Sequence, residues 1–122
     1  MYPVHESPSG SFQELARKKD VTFGQLSYLV IKPGCSRGNH YHKRKEEWFC
    51  CLHGKCELIL TDTRNNKTKN MILDSSNREF VKVNPFENHI LRNLSEDSDC
   101  EILIIISEEF DPNDPDTYKT GE

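Results

Sequence analysis

The sequence predicts an all-β fold, a sandwich or jelly-roll barrel built as a single domain. Its apolar residues are gathered into short runs, and turn-forming clusters of Gly, Pro, Asn, Asp and Ser separate those runs at regular intervals. The 122 residues suffice for one hydrophobic core and are too few for two ordinary domains. Leu, Ile, Val and Phe number 29, about a quarter of the chain and above the range of disordered sequences.

Residues 1–11 carry Pro3, Pro8 and Gly10 and read as an irregular N-terminal arm, and residues 12–19 as a short helix or an opening strand. Strands are expected over 23–32, 48–52, 55–62, 70–73, 79–83, 89–94 and 101–107. Turn chemistry divides them at Lys32-Pro33-Gly34, His53-Gly54, Arg64-Asn65-Asn66, Asp74-Ser75-Ser76-Asn77, Asn84-Pro85 and Glu96-Asp97-Ser98-Asp99. Residues 102–106 are apolar on both faces, which fits a strand covered on two sides, either by the domain itself or by a second subunit. The acidic, proline-broken tail 110–122 is expected as a loop over the surface.

Composition narrows the function. A net charge of −4 disfavours a nucleic-acid binder, which needs a dominant basic face, and points to a small-molecule or protein partner. Within that acidic chain, residues 21–45 contain Lys32, Arg37, Lys43, Arg44 and Lys45 and no acid, a basic stretch that fits either a solvated rim or a phosphate grip. Five cysteines without a C-x-x-C pair indicate neither a disulfide framework nor a cysteine zinc site, and read as small buried hydrophobes of a reducing compartment. No membrane span or export signal is legible, so a cytoplasmic location is expected.

Four residues carry the chemistry. Alternate side chains of a strand share a face, so His40-Tyr41-His42 sends both imidazoles to one side. A four-residue spacer leads to Glu47, which opens the following strand, and His89 lies past the turn at Pro85. One interior histidine is ordinarily a hydrogen-bonded core residue. Three imidazoles and a carboxylate together are a mixed N/O ligand set suited to a divalent first-row metal.

The spacing of these residues resembles that of the cupin superfamily. Gly34, His40-Tyr41-His42, Glu47 and Gly54 fall on every fixed position of the first cupin motif, and His89 and Asn93 fit the second, where Phe86 or Glu87 replaces a glycine. The resemblance implies a cupin-type double-stranded β-helix over 1–122, with His40, His42, Glu47 and His89 as ligands of a metal, zinc foremost. Further stretches, 32–42, Glu47-Trp48-Phe49 and 110–118, look like the C-terminal cupin domain of capsular polysaccharide assembling proteins. That domain epimerises a UDP-linked 4-keto sugar next to its ketone, and an attached reductase then reduces the product. Because the chain begins at Met1 and reads as cupin throughout, a separate reductase is expected in the same pathway. The dTDP-4-keto-6-deoxy-sugar 3,4-ketoisomerases share the Arg-Gly-x-His-x-His core and move protons with their histidines without a metal; Glu47 argues for the metal version.

The expected chemistry is proton removal next to a ketone, with a metal-polarised oxygen carrying the developing charge. Tyr28, Lys32, Arg37 and Glu87 are the candidate acid/base groups at the mouth of the barrel, and Arg37, Arg44 and Arg92 are candidates for the diphosphate and sugar hydroxyls. A non-catalytic sugar- or metal-binding cupin and an iron or manganese dioxygenase are the competing readings. A homodimer is expected from the resemblance, the doubly apolar strand and the N-terminal arm.

Overall fold

The structure is a computed structural model and describes residues 1–120; Gly121 and Glu122, the end of the expected tail, lie outside the described residues. An exposed hairpin of β1 (Val4–Ser7) and β2 (Gly10–Gln13) comes first. The strands that follow are β3 (Gln25–Ile31), β4 (Ser36–Tyr41), β5 (Glu47–His53), β6 (Lys55–Asp62), β7 (Thr68–Asp74), β8 (Val81–Val83), β9 (Glu87–Asn93), β10 (Cys100–Ile106) and β11 (Tyr118–Lys119). They form two antiparallel sheets, ordered β3-β10-β5-β8 and β11-β4-β9-β6-β7. The core lies between the sheets: Ile31, Phe49, Cys51, Val83, Cys100 and Ile102 of one meet Cys56, Leu58, Leu60, Leu73 and Leu91 of the other. This is the jelly roll the turn spacing predicts.

Burial follows the strand period. Along β3, Leu29 and Ile31 turn inward while Leu26, Tyr28 and Val30 are exposed. Strand β10 runs between β3 and β5, with Ile102 and Ile104 on the core side. On its other face Ile105 is only 7% exposed, beside Ala16, Val21 and Phe23 of the N-terminal segment. The domain thus covers much of the doubly apolar strand itself.

Two departures from the sequence reading stand out. The arm is a regular hairpin, because Val4 to Ser7 pair with Gln13 to Gly10 across a turn at Pro8 and Ser9. The tail is not wholly loop either: Tyr118 and Lys119 pair with Tyr41 and His40 as an edge strand. Asn93, a motif position, proves structural, since its Nδ2 donates to the carbonyls of Ile31 and Ser98, both at 2.9 Å, and its Oδ1 accepts from Ser95 N at 2.9 Å.

Phe86 occupies the turn where the cupin motif has glycine, and it does so at φ 67°. A bulky side chain in the left-handed region costs about 1–2 kcal/mol. Its ring is held by stacking on Tyr41, with centroids 6.5 Å apart, and by the Arg64 guanidinium 5.2 Å above it. We expect Phe86→Ala, which keeps the strain and loses the ring contacts, to be less stable than Phe86→Gly by about 1 kcal/mol in urea unfolding.

Candidate metal centre

The two sheets bring His40, His42, Glu47 and His89 together. His40, next to last in β4, pairs with His89 of β9, His42 follows β4, and Glu47 opens β5. One ligand atom from each lies within 4.8 Å of all the others. Glu47 Oε1 is 2.7 Å from His42 Nε2 and 3.6 Å from His89 Nε2. Imidazole centroids lie 4.5 Å apart for His40 and His89 and 5.4 Å apart for His40 and His42. With metal–ligand bonds of about 2.1 Å, donors of one tetrahedral ion sit about 3.4 Å apart, so the set fits a divalent ion after small side-chain rotations.

The protonation pattern fits as well. Burial pushes His89 down to about 4, and burial with the neighbouring His42 pulls His40 below the ordinary imidazole value, so both are neutral near pH 7. Burial alone would lower His42, but its hydrogen bond to Glu47 and the charge of that carboxylate raise it. Glu47, though buried, is held below the usual carboxylate range by His42 and the other two imidazoles. His42 is bracketed by two acceptors, because Nδ1 lies 2.6 Å from the Asp116 carbonyl while Nε2 faces the carboxylate. A proton on both nitrogens satisfies that bracket, and so does a divalent cation replacing the Nε2 proton.

A pH dependence follows for the metal-free protein. His89 binds its proton more weakly folded than unfolded, so it leaves the fold unaffected above about pH 6.5 and progressively opposes it as pH falls towards about 4. His42 acts in the opposite sense, but it is present in both the wild type and His89→Leu, so it drops out of their difference. We expect chelator-treated protein to lose about 3 kcal/mol more than its His89→Leu variant between pH 6.5 and 4, read from urea unfolding.

A cavity of about 180 Å³ opens over the cluster, lined by His40, Glu47 and His89 together with Leu29, Arg37, Gly38, Phe49, Leu91 and Ile104. The Phe49 ring meets His89 edge-on at 5.3 Å. Of the candidate substrate-binding arginines, Arg37 lines this cavity. Arg44 instead pairs with Glu108 at 2.7 Å and Asp114 at 3.3 Å, and Arg92 is exposed on the strand face opposite His89 and Leu91. None of the candidate acid/base residues Tyr28, Lys32 and Glu87 is in the cavity wall. Tyr28 is turned outward, 58% exposed, and its hydroxyl donates to Glu101. Lys32 follows Ile31, which pairs with Cys100 at the opposite end of β10 from Glu47. Glu87 is buried and accepts from the amide of Asn84 at 2.8 Å.

Sequence reasoning did not single out Leu29, Phe49, Leu91 and Ile104 as cavity walls. Alternation gives Phe49 from Glu47 and Leu91 from His89, two residues along the same strands. It also missed Asp116, which lies far from the ligands in sequence.

A jelly roll whose two sheets converge three imidazoles and a carboxylate beneath an open cavity defines a cupin. More narrowly, the chain belongs to the polysaccharide biosynthesis C-terminal domain family, whose model matches residues 5–118. It is 30% identical over 116 residues to UDP-2-acetamido-2,6-beta-L-arabino-hexul-4-ose reductase of Pseudomonas aeruginosa, covering 95% of this chain and 30% of that protein. It is 31% identical over 108 residues to TDP-4-oxo-6-deoxy-alpha-D-glucose-3,4-oxoisomerase of Aneurinibacillus thermoaerophilus, covering 86% and 74% respectively. The crystal structure of capsular polysaccharide assembling protein CapF from Staphylococcus aureus superposes with a TM-score of 0.78 at 29% identity, over 100% of this chain and 35% of that one. The chain therefore spans about a third of the reductase and of CapF, and about three quarters of the oxoisomerase. Among the described residues no helix is long and apolar enough to cross a membrane.

Proposed function

We propose that this cupin is a metal-dependent isomerase of a nucleotide-linked 4-keto-6-deoxy sugar, exchanging a proton on the carbon next to the ketone, in polysaccharide biosynthesis. The observation that carries the reading is the convergence of four donor atoms within 4.8 Å at the base of a cavity that also exposes Arg37. Similarity to the oxoisomerase and to CapF supports the substrate class.

The cavity, about 180 Å³, is below the usual size for a whole ligand, so the sugar ring enters and the nucleotide stays outside. Arg37 at its wall supplies a cation for the diphosphate. Leu29, Leu91 and Ile104 give an apolar wall suited to a sugar lacking its 6-hydroxyl. His40, His42, Glu47 and His89 hold the divalent ion, zinc being the first choice for this donor set. When bound, such an ion offsets the negative charge that develops on the ketone oxygen, an effect of several kcal/mol. The C–H proton leaves to a base, its electrons pass to the carbonyl oxygen, and a proton returns to the same carbon or its neighbour.

A second reading is favoured by one observation: among the described residues the cavity wall holds no imidazole or carboxylate besides the ligand set. In a metal-free 3,4-ketoisomerase His40, the least buried of the three imidazoles, would itself carry the proton. Elemental analysis and deuterium uptake from solvent into UDP- and dTDP-4-keto-6-deoxy sugars separate the two. Exchange lost to chelation and restored by zinc supports the metal-dependent enzyme, whereas exchange that survives chelation supports histidine chemistry. Binding without exchange across these sugars would leave a non-catalytic binding cupin.

The similarity to a reductase supports a reduction step acting on the product. A second copy of this chain is the proposed partner of the exposed face formed by Phe23, Leu26, Tyr28 and Val30. The β1–β2 hairpin, exposed along nearly its whole length, argues for such a partner, because two strands alone are marginal in water. Light scattering should give twice the 14.2 kDa chain mass, and a monomer at all concentrations would refute the dimer. Five free cysteines, four of them buried, support a cytoplasmic location.

A further inference from the structure

We propose that Asp116, on the C-terminal strap, is a positioning residue that sets both His42 and the loop joining it to Glu47; this rests on the reading of the cluster as a metal site. Asp116 is only 4% exposed and is held at φ 48°, a conformation that turns its two acceptor groups onto the same loop. Its main-chain carbonyl accepts from His42 Nδ1 at 2.6 Å. Its carboxylate accepts from three successive backbone amides, Lys43 N at 3.0 Å to Oδ1 and Arg44 N and Lys45 N at 2.9 Å each to Oδ2.

Those three amides belong to the segment between the ligands His42 and Glu47. A carboxylate accepting from three successive N–H donors makes a strong, charge-assisted cap and fixes the path of that segment. The carbonyl does something different. By taking the Nδ1 proton it leaves the Nε2 lone pair as the one His42 offers to the cluster. One residue therefore fixes the tautomer of one ligand and the spacing to the next.

The rest of the strap keeps Asp116 in place. The Pro115 carbonyl accepts from Lys45 Nζ at 3.1 Å, and Tyr118 stacks on Tyr41 with centroids 5.4 Å apart. Thr120 Oγ1 reaches Asn39 Oδ1 at 2.9 Å and Asn88 Oδ1 at 2.6 Å, next to His40 and His89. Lys119 pairs directly with His40. The strap thus touches or neighbours three of the four ligands.

The test uses the full chain and three variants: Asp116→Ala, the milder Asp116→Asn, and Asp114→Ala as a control that breaks only the exposed Arg44 ion pair of the same strap. Zinc affinity is measured by chelator competition, the visible spectrum of the cobalt-loaded protein reports ligand geometry, and the metal-free protein is examined by NMR for the His42 Nδ1 proton. We expect Asp116→Ala to weaken zinc about 10- to 100-fold and to alter the cobalt spectrum, with Asp116→Asn intermediate and Asp114→Ala within about twofold of wild type. In the metal-free wild type the His42 Nδ1 proton should exchange slowly with solvent, and in Asp116→Ala it should exchange fast. Wild-type zinc affinity, cobalt spectrum and proton exchange in Asp116→Ala would overturn the proposal. Wild-type protein that takes up neither metal overturns the metal reading instead, and the proton exchange then decides whether Asp116 positions His42. If Asp116→Ala does not fold, the same readouts on Asp116→Asn decide.

Discussion

Glu47→Gln is expected to reduce bound metal from about one ion per chain to almost none, and to slow proton exchange next to the ketone by about a thousandfold or more. The substitution keeps the shape of a side chain that is 6% exposed and removes its charge. Among the described residues Glu47 is the sole carboxylate in the cavity wall, and its Oε1 lies within reach of both His42 and His89. A neutral amide is a poor ligand for a divalent ion and leaves three imidazoles without an anionic partner. A thousandfold loss corresponds to about 4 kcal/mol of transition-state stabilisation, within what a Lewis acid at the reacting oxygen contributes. Removing the His42 partner also costs stability, on the order of 1–3 kcal/mol, so folding is checked by circular dichroism. Glu46→Gln is the control, since Glu46 faces Lys82 at 2.6 Å on the other side of the strand. Full metal content and exchange in Glu47→Gln would show that Glu47 is not a required ligand of the centre.

Much of this site was legible in the sequence, and the legible part shares one property. His40 and His42 are separated by one residue, and Glu47 opens a strand whose apolar run is unmistakable, so strand alternation places all three without knowledge of the fold. His89 was legible only through its motif spacing. Of the acid/base candidates Arg37 lines the cavity, whereas Tyr28 does not for a related reason: Tyr28 sits next to Leu29, and whichever of the two lines the cavity excludes the other. Choosing between them requires knowing which face of β3 is covered, and that depends on where β10 packs. Arg44 was drawn away by Glu108 and Asp114, partners more than sixty positions distant, which no local pattern reveals. The tail misled for the opposite reason. Its prolines and acids read as surface loop, yet Asp116 is buried, with three loop amides donating to its carboxylate. Element positions were read well where apolar runs were long, as in β6, where the expected 55–62 coincides with Lys55–Asp62.

Gly38→Ala is expected to destabilise the domain by on the order of 3 kcal/mol and to disturb the metal centre with it. Gly38 stands at φ 102° where β4 slips register against β9, between its pairing with Ile90 and that of His40 with His89. An alanine Cβ there would lie 2.6 Å from the His89 carbonyl oxygen and 3.3 Å from the His89 ring. The backbone conformation is strained for any L side chain, and the contact falls on main chain, which cannot swing aside like a flexible side chain. Relief must come from moving β4 away from β9, and those strands carry His40 and His89. Gly34→Ala separates the two contributions, since Gly34 also has positive φ, at 69°, but a Cβ there meets nothing within 4 Å. It should cost about 1 kcal/mol from conformation alone and leave zinc affinity unchanged. Urea unfolding and chelator competition on both variants check this. Equal losses of stability in the two, with zinc binding intact in Gly38→Ala, would show that the close approach of β4 to His89 does not hold the ligands in register.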